Sequence, residues 1–315
     1  MPSIPTGVRG ARFTGWGTAL GHRLVTNDDL AATIDTNDQW IRERTGIERR
    51  HVGGTNAELS SASGAAALAM AGVDPLSVDA LVLATTTPDR AVPATSSTVQ
   101  ARLGLRCGAF DVNAACSGFV YATVVAHGLI AMGAKRVLLI GTDTLARITD
   151  WTDRNTAVLF GDGSGAAVLE ATDGPGHLLG WDLDSDGSAE ELLFCEIGGT
   201  IHMDGKEVFR RAVRIMVDSA KKSMAIAGVG ADDIAMVVPH QANTRIISAA
   251  CDRLGVPLDR AAICINETGN TSSASIPLAL FDAADKGRLK AGDLVLLVGF
   301  GAGMTAASAI LRWGA

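Results

Sequence analysis

Three side chains in this sequence could share one piece of chemistry. Cys116 lies in Asp111-Val-Asn-Ala-Ala-Cys-Ser-Gly-Phe119, where a short apolar strand meets an Ala- and Val-rich helix expected over about 116–132. A thiol at a helix start faces unpaired backbone N–H groups and the positive end of the helix dipole. That position is expected to lower its pKa and make it a nucleophile, although a buried structural cysteine would look the same in sequence. His240 opens His240-Gln-Ala-Asn-Thr-Arg245 at the end of an apolar strand, where α/β proteins gather their ligands. Alone it could cap a helix or sit in the core. Asn270, in Gly269-Asn-Thr-Ser-Ser-Ala-Ser275, could be a plain N-cap. Together the three describe a thiol nucleophile with an imidazole and an amide beside it.

The elements that must position them alternate. Strands are expected at about 8–15, 79–87, 108–113, 136–143 and 166–170, with helices at 57–72, 95–103 and after Cys116. The order restarts with a strand over 178–184, a helix over 205–227, strands at 233–238, 262–266 and 293–298, and a closing segment at 306–313. Strand after helix after strand implies right-handed crossovers and a mainly parallel sheet covered on both faces. The halves can be laid on each other: Arg102-Leu-Gly104 matches Arg253-Leu-Gly255, and Lys135–Gly141 matches Gly292–Gly299. This is an internal duplication with halves at 1–172 and 173–315. In that register Cys116 falls opposite Asn270.

Two further stretches have two readings each. Gly15-Trp-Gly-Thr-Ala-Leu-Gly21 resembles a dinucleotide-binding glycine pattern, but the next segment reads as polar helix and lacks the acidic strand end that such a unit needs. The basic cluster Ile41–Arg50, next to Trp40, is either an anion clamp or a solvated loop with internal ion pairs.

Bulk properties narrow the function classes. The chain has 315 residues, 47% of them hydrophobic, enough for one large domain or two closely packed ones. No apolar run is long enough to span a membrane, and Met1–Thr6 does not read as a signal peptide. A net charge of −7 argues against nucleic-acid or anionic-membrane binding. The five cysteines, at 107, 116, 195, 251 and 264, form no CxxC pair and fit a reducing, cytoplasmic setting. The six scattered histidines lack ligand spacing, so no metal is expected.

Five motifs, in this order over essentially the whole chain, resemble the β-ketoacyl-acyl-carrier-protein synthase III family of the thiolase superfamily. They are Asn113-Ala-Ala-Cys116-Ser-Gly-Phe, Phe160-Gly-Asp-Gly-Ser-Gly165, His240-Gln-Ala-Asn243, Asn266-Glu-Thr-Gly-Asn270-Thr-Ser-Ser-Ala-Ser and Gly299-Phe-Gly-Ala-Gly303. The resemblance implies an α/β, thiolase-like five-layered αβαβα fold with two pseudo-twofold-related halves, usually dimeric. It implies decarboxylative condensation of an acyl-CoA primer with malonyl-acyl-carrier protein, initiating fatty-acid synthesis without a cofactor. A priming synthase or acyltransferase of a polyketide pathway is the alternative.

By the same resemblance, Cys116 becomes acylated, and the backbone N–H groups of Cys116 and Ala302 form an oxyanion hole. His240 and Asn270 hold the malonyl thioester carbonyl. Trp40 and Arg154 sandwich the adenine of coenzyme A, Arg44 and Thr45 follow in that motif, and Asn243 lines the pantetheine channel. Arg210, Arg211, Arg214 and Arg245 form a docking patch for an acidic carrier protein.

Several positions depart from the family pattern. Ala302 replaces a usual Gly, and Asp252 stands where some relatives have Lys. Val92, in the loop that closes the acyl pocket across the dimer, replaces a frequent Phe, which implies room for longer or branched primers. The connection Asp184–Asp204 is short, which implies either a more open tunnel or a trimmed loop. A degradative thiolase is disfavoured because Gly299–Met304 has no second cysteine. A chalcone-synthase-like enzyme is disfavoured by length, and a non-catalytic carrier-binding scaffold by the intact Cys116, His240 and Asn270.

Overall fold

Runs such as Ala80–Ala84, buried at every position, can only be central strands, and two sheets are built around them. The computed structural model describes residues 9–174 and 176–314, so the expected strand start at Val8 and the leader reading of Met1–Thr6 lie outside the described residues.

In chain order the elements are β1 (Ala11–Leu20), β2 (Arg23–Thr26), α1 (Asn27–Ala31), α2 (Asp38–Thr45), β3 (Arg49–Val52), α3 (Asn56–Ala71), β4 (Ala80–Ala84), α4 (Thr95–Arg102), β5 (Gly108–Val112), α5 (Gly118–Ala131), β6 (Arg136–Thr144), α6 (Arg154–Ala157) and β7 (Asp162–Ala171). Then follow β8 (Leu178–Asp184), β9 (Leu193–Cys195), β10 (Ile201–Met203), α7 (Gly205–Ala227), β11 (Ile234–Pro239), α8 (Thr244–Leu254), α9 (Ile265–Thr268), α10 (Ser275–Asp285), β12 (Leu294–Gly301) and β13 (Thr305–Arg312).

One sheet has the order β1-β7-β6-β4-β5 and the other β11-β12-β13-β8. Helices α5 and α10 lie between them. Phe119, Ala122 and Ala126 of α5 and Leu278 and Phe281 of α10 share one core with Val82 and Leu139 of the first sheet and Val238 and Leu297 of the second. A helix apolar on nearly every side, like α5, has to be buried in this way. The Ala-rich α3 and the amphipathic α7 cover the outer faces: Leu68 of α3 packs with Leu81 and Leu138, and Met216 of α7 with Leu296 and Ile310. The layering is αβαβα.

Three expectations are corrected. The sheets are mixed, not mainly parallel: β4–β5, β4–β6 and β11–β12 are parallel, whereas β1–β7, β6–β7, β12–β13 and β13–β8 are antiparallel. A three-residue turn joins β12 to β13, and so short a link permits only an antiparallel pair. Residues 262–266 are not a strand. Gln241 takes over the backbone partners there: its Oε1 accepts from the N–H groups of Cys264 and Ile265, and its Nε2 donates to the carbonyls of Pro239 and Ala262. The glycines of Gly15–Gly21 serve packing rather than phosphate binding, because a Cβ on Gly15 would stand 2.5 Å from the Ala67 carbonyl oxygen and one on Gly17 2.4 Å from that of Ser63. They let α3 lie directly on β1.

Candidate active site

Three short 3₁₀ turns meet at the C-terminal ends of the strands: Ala115–Ser117 before α5, Ser272–Ala274 before α10, and Ala302–Met304 between β12 and β13. Each holds one non-glycine residue in the left-handed region, with φ of 46° at Ala115, 49° at Ser272 and 43° at Met304. Such conformations are costly and persist only where the surroundings impose them. The first two turns are copies: Asn113 Oδ1 accepts from the Ala115 N–H (3.3 Å), and Asn270 Oδ1 from the Ser272 N–H (2.9 Å). Asn270 is therefore the counterpart of Asn113, and Cys116 that of Ser273. The expected opposition of Cys116 and Asn270 is off by three residues.

The turns are fastened to one another. Ser273 Oγ donates to the Ala115 carbonyl (3.1 Å), and Ser117 Oγ donates to the Thr305 carbonyl (3.3 Å). A Cβ on Gly301 would lie 2.5 Å from the Cys116 nitrogen, so glycine is required where the third turn crosses the first. Asp143, fully buried at the end of β6, accepts the Ser273 N–H on Oδ2 and the Thr86 and Thr87 N–H groups on Oδ1. The hydroxyls of Thr85, Thr86 and Thr87 also donate to Asp143 Oδ1. Sequence reasoning missed Asp143 and Ser273. The available signal was the polar cluster Thr85-Thr-Thr87 and Thr142-Asp-Thr144 at the ends of otherwise apolar strands.

His240, 1% exposed, has its N–H bonded to the Val298 carbonyl and its ring edge-on to Phe300 at 5.5 Å. Ser275 Oγ lies 2.6 Å from Nδ1, which leaves Nε2 to reach a substrate. Asn270 is held from the backbone: its N–H donates to the Leu159 carbonyl and its carbonyl accepts from Gly161. With Oδ1 already engaged, Nδ2 is the group left to act. Cys116, His240, Asn270, Asn243 and Ala302 all line one cavity of about 930 Å³. The short connection 184–204 contains the β9–β10 hairpin, and Leu193, Phe194, Ile197, Ile201 and Met203 line that cavity, so the connection walls the tunnel in.

Comparison with known proteins adds to this geometry. The model of the 3-oxoacyl-[acyl-carrier-protein] synthase III family matches residues 110–187, and that of its C-terminal region matches residues 224–313. The β-ketoacyl-[acyl-carrier-protein] synthase III of Roseiflexus castenholzii is 47% identical, covering 97% of this chain and 98% of that protein. The chain belongs to the β-ketoacyl-acyl-carrier-protein synthase III family. The crystal structure of the Aquifex aeolicus synthase III superposes with a TM-score of 0.95 at 40% identity, over 96% of this chain and all of the other. That likeness makes the αβαβα layering the thiolase-like fold.

A priming β-ketosynthase of the R1128 polyketide pathway superposes with a TM-score of 0.93 at 35% identity, covering 99% of this chain and 98% of its own. Sequence is therefore nearer to the fatty-acid enzymes, and the polyketide alternative is not favoured. The activity is that of a synthase III acyltransferase, a condensation that initiates fatty-acid synthesis.

The electrostatics of this synthase III site reverse one expectation. Burial pushes the Cys116 thiol up to about 12; the Asp143 charge adds to the shift and a Ser272 hydrogen bond opposes it. The residue keeps an opening toward the cavity, but the three converging turns strip away the water that would stabilise a thiolate, and this outweighs the helix start. Burial also lowers His240 to about 3, so its imidazole is neutral through the physiological range. The resting pair is thiol and neutral imidazole. Alkylation of Cys116 by iodoacetamide is accordingly expected to rise about tenfold per pH unit from pH 7 to 10 without levelling off. A plateau below pH 8 would mean the thiol is already activated in the resting enzyme.

The Arg44 and Arg154 guanidiniums lie over the Trp40 ring, 4.7 and 4.1 Å from its centroid, and Arg154 also pairs with Asp35. These residues stand outside the cavity lining, as does Thr45. Thr45 is buried, with its hydroxyl donated to the Ile41 carbonyl and accepting from the Ile47 N–H, so it shapes the end of α2 and is not available to a ligand. Asn243 Nδ2 donates to the Arg44 carbonyl and ties α2 to the start of α8. The basic cluster resolves mainly into ion pairs: Arg42 bonds Asp38, Arg49 meets Glu267, and Arg50 is fully buried against backbone carbonyls.

On α7, Arg210 and Arg211 are both paired with Glu207, and Arg214 is exposed. Arg245 of α8 lies 5.2 Å from the Phe209 ring. Val92 is 82% exposed and does not line this chain's own cavity. Among the described residues, no group of three or more His, Cys, Asp or Glu is placed to hold a metal, and no helix is long and apolar enough to cross a membrane.

Proposed function

We propose that the cavity carries out a two-stage reaction on one thiol: acylation of Cys116 by an acyl-CoA primer, then condensation with malonyl-acyl-carrier protein. The observation that carries this reading is the presence of Cys116, His240 and Asn270 on a single cavity in a chain of this family.

In the first stage the sulfur attacks the thioester carbonyl, with the backbone N–H groups of Cys116 and Ala302 as oxyanion donors. Ala302 supplies this backbone donor as a Gly would. In the second stage, His240 Nε2 and Asn270 Nδ2 donate to the malonyl thioester oxygen. In this assignment the Ser275 hydroxyl, 2.6 Å from Nδ1, donates to it and the ring proton sits on Nε2, which makes a neutral imidazole a donor. Carbon dioxide leaves, the resulting enolate attacks the acyl-Cys116 carbonyl, and the sulfur departs. Decarboxylation drives the carbon–carbon bond, so no cofactor is needed.

The Trp40, Arg44 and Arg154 stack is the receptor for the nucleotide end of coenzyme A, with Asn243 along the pantetheine path. Arg214 and Arg245, with the paired Arg210 and Arg211, form the face for an acidic carrier protein. The working unit is a cytoplasmic homodimer. Support comes from the unpaired edge of β5, with Phe110 38% exposed, and from Val92, which is exposed and lies outside the lining of this chain's own cavity. A valine there leaves room for longer or branched primers.

The test is product analysis with a panel of acyl-CoA primers and malonyl-acyl-carrier protein. The expected product is a 3-oxoacyl carrier two carbons longer than the primer, with acetyl not preferred over longer chains. Absence of any condensation product across the panel would overturn the reading. Trp40→Ala is expected to raise KM for acyl-CoA about tenfold with little change in kcat, while leaving the KM for acyl-pantetheine unchanged.

A further inference from the structure

Arg50, in β3, is the largest fully buried side chain among the described residues, and the two-stage reaction gives it no task. It does not line the cavity. Its guanidinium is shared among three neutral oxygens. Nη1 donates to Asn27 Oδ1 (2.8 Å) and to the Val25 carbonyl (3.4 Å), and Nη2 donates to the Val158 carbonyl (2.8 Å). Among the described residues no carboxylate pairs with it, and burial lowers its pKa to about 10, which still leaves a cation at neutral pH. Buried charges are ordinarily paired, because an unpaired one is costly. A cation kept here in spite of that cost points to a task other than stability, and its partners show what it holds.

One arm reaches α2. Asn27 is buried, and its Nδ2 donates to Asp38 Oδ1 and to the Ile47 carbonyl, both at 2.8 Å. Asp38 is the first residue of α2 and Ile47 follows its C-cap, so Asn27 clamps both ends of the helix that carries Trp40 and Arg44. The other arm reaches segment 158–161. Val158 caps α6, whose first residue is the Arg154 that lies over Trp40. Directly after it, the Leu159 carbonyl accepts from the Asn270 N–H (2.8 Å), and the Gly161 N–H donates to the Asn270 carbonyl (3.0 Å). The Arg50 stem closes on the same place: a Cβ on Gly161 or Gly269 would stand 3.2 or 3.1 Å from Arg50 Cβ.

We propose that Arg50 is a positioning residue for both stages, a single buried guanidinium that fixes the Trp40–Arg44–Arg154 stack and Asn270 to one anchor without touching either substrate. The inference rests on the roles given above to that stack and to Asn270. Through Asn27 it sets α2 for the acyl-CoA of the first stage. Through Val158 it sets the backbone from which Asn270 donates in the second.

The experiment uses Arg50→Lys, alone and combined with Asn270→Ala, and Asn27→Ala. Lysine keeps the charge but offers one nitrogen for contacts that Arg50 divides between two. Acylation of Cys116 by acyl-CoA, its acylation by acyl-pantetheine, and decarboxylation of malonyl-acyl-carrier protein are measured for each. Arg50→Lys is expected to raise KM for acyl-CoA about tenfold and to lower kcat for decarboxylation about tenfold, with acylation by acyl-pantetheine within about twofold of wild type. In the Asn270→Ala background the same substitution is expected to change decarboxylation by less than about twofold, because the group it positions is gone. Asn27→Ala cuts only the arm to α2. It is expected to raise KM for acyl-CoA and leave decarboxylation unchanged, and it decides the matter if Arg50→Lys does not fold.

A loss shared equally by all three reactions would overturn the proposal, since that is the mark of a purely structural residue. So would an equal loss of decarboxylation with and without Asn270, or an Asn27→Ala variant that slows decarboxylation as much as it weakens acyl-CoA. An Asn270→Ala variant that decarboxylates at the wild-type rate would instead sink the role given to Asn270, and with it the second arm of the proposal.

Discussion

Cys116→Ala is expected to abolish acyl-enzyme formation. Intact mass after mixing the wild type with acyl-CoA should show a gain of one acyl group, and the variant should show none. Overall condensation should fall by at least about 10³-fold, the scale on which removal of a nucleophile acts in enzymes whose catalytic groups work as a unit. The fold should survive, because Ala114 and Ala115 already occupy the same crossing and alanine is smaller than cysteine. One outcome would refute the assignment outright: an adduct that persists in Cys116→Ala. Cys195 is the residue to map in that event, since it is exposed, free and lines the same cavity.

His240→Ala and Asn270→Ala are expected to separate the two stages. Each removes one of two donors aimed at the oxygen where enolate charge develops, a loss of about 10²- to 10³-fold in malonyl decarboxylation. Acylation of Cys116 should continue in both, read again by intact mass. The double variant should lose little more than either single one, because the donors act on one atom.

His240 also sets a pH expectation. Its pKa is lowered to about 3, so the neutral form dominates above that value, and His240 contributes no change in decarboxylation rate between pH 5 and 8. Protonation below the folded pKa would place a charge in a buried ring and disrupt the Ser275 contact. If His240→Ala blocked acylation while decarboxylation went on, the roles given to the two stages would have to be exchanged.

Much of this was legible because local pattern encodes burial. The bounds expected for β8 and α7 from apolar runs and caps match the observed Leu178–Asp184 and Gly205–Ala227. The glycine-rich and polar motifs at strand ends marked where the chain turns, and their order along the chain identified the family. Where the reading failed, the deciding interaction lay far away in sequence. Residues 262–266 have strand-like composition, but Gln241 supplies their hydrogen-bond partners. The basic stretch 41–50 could be read as an anion clamp or as a loop with internal ion pairs, and one of the partners that decides, Glu267 on Arg49, lies more than two hundred residues away.

The thiol gives the sharpest contrast between the two levels. Sequence by itself determined the family, the alternating strand-and-helix frame and the placement of Cys116 before a helix. From that placement it implied a lowered pKa. Only the tertiary structure decided the opposite sign, because the sulfur's environment is assembled from three turns at 115–117, 272–274 and 302–304 and from Asp143 on β6. Periodicity and motif are properties of neighbouring residues and can be read along the chain. Desolvation is a property of everything packed around an atom, and it comes into being only when distant segments close over the site.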